Sequence, residues 1–167
     1  PLILVFLALL LWSLAQRARR ASGLPEGPVV YSDTGGWGRL EKPLFSARLQ
    51  LTGKPDYLVR EGAGYVPVEM KSGRAPASGL YAAHVYQLAA YCVLTAETYG
   101  RRPAYGLIKY ADKILRVEFT SALEAELLEL LDHMRADGEA EDAARSHSSA
   151  ARCRACGFRE VCEESLA

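Results

Sequence analysis

Gly53-Lys54-Pro55-Asp56-Tyr57-Leu58-Val59, followed after Arg60 to Tyr65 by Val66-Pro67-Val68-Glu69-Met70-Lys71-Ser72-Gly73, is the stretch whose reading decides the fold. Two short apolar runs flank the cluster Glu61-Gly62-Ala63-Gly64, the pattern of two strands joined by a tight hairpin. A turn centred between Gly62 and Ala63 sets Asp56 directly across the ladder from Glu69, with Cβ atoms ~4.5–5.5 Å apart. Lys71 lies two residues beyond Glu69 and therefore on the same face of its strand. Two carboxylates held this way repel unless a cation sits between them. Hard oxygen donors select an ion such as Mg²⁺ or Mn²⁺ rather than Zn²⁺. An ammonium beside that ion can orient or activate a water and offset charge on a phosphorane-like transition state. Asp56, Glu69 and Lys71 thus have the parts for phosphodiester hydrolysis. The competing reading of the same spacing is a surface hairpin with an ordinary Glu-Lys face.

Outward from this hairpin, Phe45 to Lys71 reads as three short strands, and Ser78 to Tyr99 as a helix with Gly100 just past its end. Ala104–Tyr110 and Ile114–Phe119 read as two strands around the turn Ala111-Asp112-Lys113. Ser121-Ala122-Leu123-Glu124 is a capping-box start for a second helix, with Leu123, Leu127, Leu130 and Leu131 on its apolar face and its end at Gly138. Strands, helix, two strands, helix predict an α/β or α+β domain over 45–138, preceded by a Gly- and Pro-rich linker over 21–44. Residues 139–167 read as a polar linker and a cysteine-bearing end.

The chain has 167 residues, enough for one compact domain with a modest core. Its net charge is zero, but residues 1–116 hold 15 basic and 8 acidic side chains and residues 117–167 hold 5 and 12. A basic half carrying the candidate site suits a polyanion; the acidic half has the composition of a solvated helix face. Leu2 to Ala15 is an uncharged apolar run followed by Arg17, Arg19 and Arg20. It predicts a single membrane helix over 1–20, with the arginine side, and hence the domain, on the cytoplasmic face of the inner or plasma membrane. A cleaved signal peptide would carry its positive charge before the run rather than after it. A buried core helix is the other reading.

The two strand segments, together with Gln87-Leu88-Ala89-Ala90-Tyr91 in the following helix, resemble the RecB-like branch of the PD-(D/E)XK nuclease superfamily. The resemblance is greatest to the small CRISPR-associated iron–sulfur exonucleases (Cas-four) and the related Dna-two nuclease domain. It implies a restriction-endonuclease-like core, a central mixed sheet flanked by helices. It implies Asp56 and Glu69 as metal ligands, with the main-chain carbonyl of Met70 as a third, and Lys71 as catalytic. Gln87 and Tyr91, the Q-x-x-x-Y motif, would steady the site or contact DNA; as i,i+4 neighbours they share a helix face. His84, one turn earlier, extends the same polar stripe. Relatives of this kind carry an early histidine and an early cysteine, and neither stands between the apolar run and Phe45.

Cys153, Cys156 and Cys162 resemble the C-terminal three-cysteine part of that family's [4Fe–4S] site. The fourth ligand would be His147 or Cys92. With His147 the set becomes Cys3His, the pattern of structural Zn²⁺. Either metal would staple the C-terminal end to the domain; a metal-free end is the third reading. The function expected from these features is a membrane-anchored, Mg²⁺- or Mn²⁺-dependent DNA nuclease, an exonuclease acting on single strands or ends. The alternative is a module of the same fold that binds nucleic acid or a partner without cleaving.

Overall fold

In the computed structural model, residues 2–22, 29–32, 42–77, 79–141 and 144–166 are described. By backbone contacts the chain forms two compact units, Pro1–Leu127 and Leu128–Ala167. The first unit is built on a five-stranded sheet. In chain order its strands are β1 (Val29–Ser32), β4 (Tyr57–Glu61), β5 (Gly64–Met70), β6 (Tyr105–Lys109) and β7 (Ile114–Glu118), and this is also their spatial order. A separate antiparallel pair is formed by β2 (Leu44–Ser46) and β3 (Leu51–Gly53). Within the main sheet only β5 and β6 run parallel, so the sheet is mixed. A parallel pair needs a crossover, and helix α2 (Ala82–Tyr99) supplies it.

The hairpin register is the one the sequence predicts. Tyr57 faces Val68, Leu58 faces Pro67, Val59 faces Val66 and Glu61 faces Gly64. Gly62 is the first of the two loop residues and adopts φ 58°, which fits a type II′ turn and favours glycine.

Alternation along β4 and β5 separates two faces. Val59, Val66 and Val68 join Tyr105 and Leu107 in one buried cluster. The opposite face receives α2, whose Leu88, Tyr91 and Leu94 pack with Leu44, Ile108 and Tyr110. Each such buried Leu or Ile contributes about 1.5–3 kcal/mol relative to exposure. The close approach of helix and sheet depends on Gly106, where an added Cβ would lie 2.7 Å from Leu88 Cγ.

Several expectations are corrected. The helix expected from Ser78 begins at Ala82, because Gly79 takes φ 110°, outside helical space; Ser78 itself lies outside the described residues. Helix α3 (Ser121–Glu139) is capped by Thr120 rather than Ser121: the Thr120 Oγ1 accepts from Leu123 N at 3.1 Å. The expected linker contains strand β1, which pairs with β4, while 23–28 and 33–41 lie outside the described residues.

Helix α1 (Leu2–Ser22) forms where the apolar run predicts. The membrane span does not follow: among the described residues no helix is long and apolar enough to cross a membrane.

The second unit holds the rest of α3 and the one-turn helix α4 (Ala150–Arg154), capped by the Ser149 side chain, which accepts from Arg152 N.

Candidate active site

Asp56 immediately precedes β4 and Glu69 is the penultimate residue of β5, so the register carries the two carboxylates to facing positions. They lie close enough to share a hydrogen bond when one is protonated. The β5–β6 pairing continues past the strand end, with Lys71 N donating to Lys109 O at 2.7 Å. Successive N–H groups of a strand point to opposite edges, so Met70 N–H turns the other way. It donates to Asp56 Oδ2 at 2.6 Å. The carbonyl of Met70 points to the same edge as its N–H, toward Asp56.

Glu69 is 7% exposed, and its Oε1 is the centre of a closed polar network. Lys71 Nζ donates to it at 2.7 Å and to Gln87 Oε1 at 2.7 Å. The Gln87 amide nitrogen in turn donates to Glu69 Oε1 at 3.0 Å and to the Tyr91 hydroxyl at 2.9 Å. Gln87 and Tyr91 reach the strand together because i,i+4 residues lie one above the other on α2. Tyr91 is seated by Gly53, where a Cβ would come within 2.8 Å of its Cε1.

Burial is the main force pushing the Glu69 carboxyl above its usual range; Lys71 opposes it, and the neighbouring Asp56 adds to it. Burial likewise raises the Tyr91 phenol, which stays a neutral hydroxyl. A divalent cation between Asp56 and Glu69 would relieve the raised Glu69 directly. The donor set is all oxygen and suits a hard ion: two carboxylates, the Met70 carbonyl and water. Among the described residues no group of three or more His, Cys, Asp or Glu side chains is arranged to hold a metal, so the ion would rest on that smaller set.

The family model of the PD-(D/E)XK nuclease superfamily matches residues 5–163. The chain belongs to the PD-(D/E)XK nuclease superfamily. Its mixed sheet flanked by helices fits the restriction-endonuclease-like core. No curated protein matches. Among solved structures the chain is similar to one titled "Crystal structure of SSO0001", with 21% identity and a TM-score of 0.49, covering 70% of this chain and 52% of that one. The chain spans about half the length of that protein.

In this PD-(D/E)XK chain, Asp56, Glu69, Met70, Lys71, Gln87 and Tyr91 come together in one place. The cysteine end does not form the ligand set expected of it. Cys153, Cys156, Cys162 and His147 line one cavity of about 210 Å³, yet no group of three is placed to hold a metal. Other partners occupy them: Cys153 Sγ accepts from Leu166 N at 3.4 Å, and His147 Nδ1 accepts from Ser149 N at 3.2 Å. Cys156 is exposed. Cys92, the other candidate for fourth ligand, is 1% exposed inside α2, and burial pushes its thiol up to about 12, so it is not a thiolate. Neither the [4Fe–4S] nor the Zn²⁺ reading is supported by this arrangement.

Two neighbours of the site were not singled out from sequence. Tyr110 Oη lies 2.7 Å from His84 Nδ1, and Tyr81 sits against His84. Tyr110 directly follows β6, but nothing in its local sequence distinguishes it from any strand-end tyrosine.

Proposed function

We propose that this chain is a Mg²⁺- or Mn²⁺-dependent deoxyribonuclease of the RecB-like branch that hydrolyses phosphodiester bonds in single strands or at ends. The observation that carries this reading is the network joining Glu69, Lys71, Gln87 and Tyr91 opposite Asp56. Bound there, the ion would polarise the phosphate and lower the pKa of an attacking water. Asp56, Glu69 and the Met70 carbonyl would hold it. Lys71, its ammonium oriented by two acceptors, stands where negative charge develops during displacement. Gln87 keeps Lys71 and Glu69 in register, and Tyr91 supports Gln87 from below.

Closeness to the CRISPR-associated exonucleases and the Dna-two nuclease domain is part of this proposal and rests on the Gln87-x-x-x-Tyr91 helix following Glu69-x-Lys71. The deciding experiment incubates the purified protein with single-stranded, blunt and overhanging DNA in Mn²⁺, beside Glu69→Gln. Cleavage by the wild type alone supports the enzyme. DNA binding without cleavage by either form favours the non-enzymatic module instead.

For location, we place the domain at the cytoplasmic membrane surface. Ile3, Phe6 and Trp12 of α1 are 83%, 68% and 65% exposed, an apolar surface that a lipid interface would cover without being spanned. Co-flotation with anionic vesicles, lost on deletion of residues 1–20, tests this.

A further inference from the structure

Beside the carboxylate site stands a group of rings that the hydrolytic reading leaves unused. His84 lies one turn before Gln87 on the same face of α2. Tyr110 follows Lys109, whose carbonyl receives Lys71 N, so its ring and the Lys71 side chain leave neighbouring strands at adjacent positions. The ring centroids of Tyr81 and His84 are 5.2 Å apart at 76°, and those of His84 and Tyr110 are 5.7 Å apart at 39°. Tyr110 is 3% exposed and Tyr81 is 53% exposed, so the row runs from the core to solvent.

The row is held from its buried end. Tyr110 Oη contacts His84 Nδ1 at 2.7 Å and also takes a hydrogen bond from the Tyr81 main chain. That contact ties the Tyr110 phenol to the imidazole. Burial and the Lys71 ammonium both disfavour its charged form. The His84 ring is anchored to the buried Tyr110, and the Tyr81 ring packs against it at a steep angle. An exposed tyrosine packed against an anchored ring beside the carboxylate site has less freedom to lose on stacking than a free one, and base stacking tolerates any sequence.

We propose that Tyr81 is a stacking platform for an unpaired base of the strand entering the Asp56–Glu69 site, and that His84 and Tyr110 position it. This rests on the nuclease reading for the identity of the strand, and it assigns the preference for single strands or frayed ends to a specific side chain. A paired base is already stacked on both sides and has no face to offer, so a blunt duplex gains nothing from Tyr81.

The test uses the full chain with Ca²⁺ in place of Mg²⁺ and a short single-stranded deoxyoligonucleotide carrying 2-aminopurine. Its fluorescence reports stacking and does not depend on cleavage. Tyr81→Leu should weaken binding of the single strand about tenfold and abolish the quenching, while weakening a blunt duplex several-fold less. Tyr81→Phe should restore the quenching, and His84→Leu should reduce it without touching the base itself. Because Tyr81 is exposed, the Leu variant keeps the fold, which its thermal melt verifies. Quenching that persists in Tyr81→Leu, equal losses on single strand and duplex, or no binding of the single strand by the wild type overturns the proposal. Quenching that follows Tyr81 in a protein inactive in Mn²⁺ upholds the platform and rejects the enzyme; cleavage with quenching indifferent to Tyr81 does the reverse.

Discussion

The main-chain N–H of Met70 donates to the Asp56 carboxylate at 2.6 Å. This one bond orients the Asp56 carboxylate, and the Met70 carbonyl shares its edge of the strand. Asp56→Asn retains the size of the side chain but replaces one acceptor oxygen with an amide and removes the charge. Metal-dependent cleavage should fall at least a hundredfold, and the melting temperature should change little, because the bond lies at an exposed position. A variant still cutting at near wild-type rate would remove Asp56 from the site.

Lys71→Met removes the cation from Glu69 and leaves Gln87 as the remaining donor to Oε1. A buried carboxylate deprived of a charged partner costs about 1–3 kcal/mol. Urea unfolding at pH 7 should show that loss together with a drop in cleavage of at least a hundredfold. Lys71→Arg should recover stability more than activity, because a planar fork cannot reproduce the position of an ammonium.

The pH dependence follows from Glu69, whose carboxyl is held above its ordinary value of 4.5, first by burial and then by Asp56. A raised carboxyl favours the fold in its protonated form. Its stabilising contribution is complete below the ordinary value and is lost as pH rises through the raised value. Metal-free protein should therefore lose stability over that interval. Glu69→Gln should flatten the loss, and added Mn²⁺ should oppose it in the wild type alone. Thermal melts across pH 4 to 8 (about the range in which carboxylates and their raised forms titrate) check both.

Two glycines set the approach of α2. Gly106→Ala drives a methyl to 2.7 Å from Leu88 Cγ and should cost about 1–3 kcal/mol by overpacking. Gly53→Ala meets Tyr91 at 2.8 Å, so it should impair activity beyond its effect on stability by displacing the support of Gln87. Comparing melts with cleavage rates for the two variants separates a packing position from a site-seating one.

Thiol labelling should follow exposure in the cysteine-bearing unit. Cys156 is exposed and Cys162 half-buried, while Cys153 is 4% exposed. N-ethylmaleimide followed by peptide mass spectrometry should find Cys156 modified first and Cys153 late. Cys92 should resist until unfolding, being buried with its thiol pushed up to about 12. Protection of Cys153, Cys156 and Cys162 together would instead point to a bound metal.

Much of the fold and of the site was legible in the chain. The hairpin register was readable because Gly62 and Ala63 mark a two-residue turn, and strand alternation then assigns every facing pair down to Asp56 and Glu69. Gln87 and Tyr91 were readable as neighbours because helical spacing is local. The N-terminal helix was readable because its apolar run is continuous, while among the described residues no helix is long and apolar enough to cross a membrane. Cysteine spacing brings Cys153, Cys156 and Cys162 to one cavity with His147, but it does not say which partners each group takes, as Ser149 does for His147 and Leu166 for Cys153.

The sequence by itself determined which face Asp56, Glu69 and Lys71 share, because periods of two and 3.6 residues and a tight turn are properties of neighbouring backbone. Only the tertiary structure decided that Gln87 closes the bonds between Lys71 and Glu69, that Gly53 seats Tyr91, and that Tyr81, His84 and Tyr110 stand in a row beside them. Those relations join strand to helix across tens of residues. They depend on how closely α2 settles on the sheet, which is set by packing between distant side chains and by no local pattern.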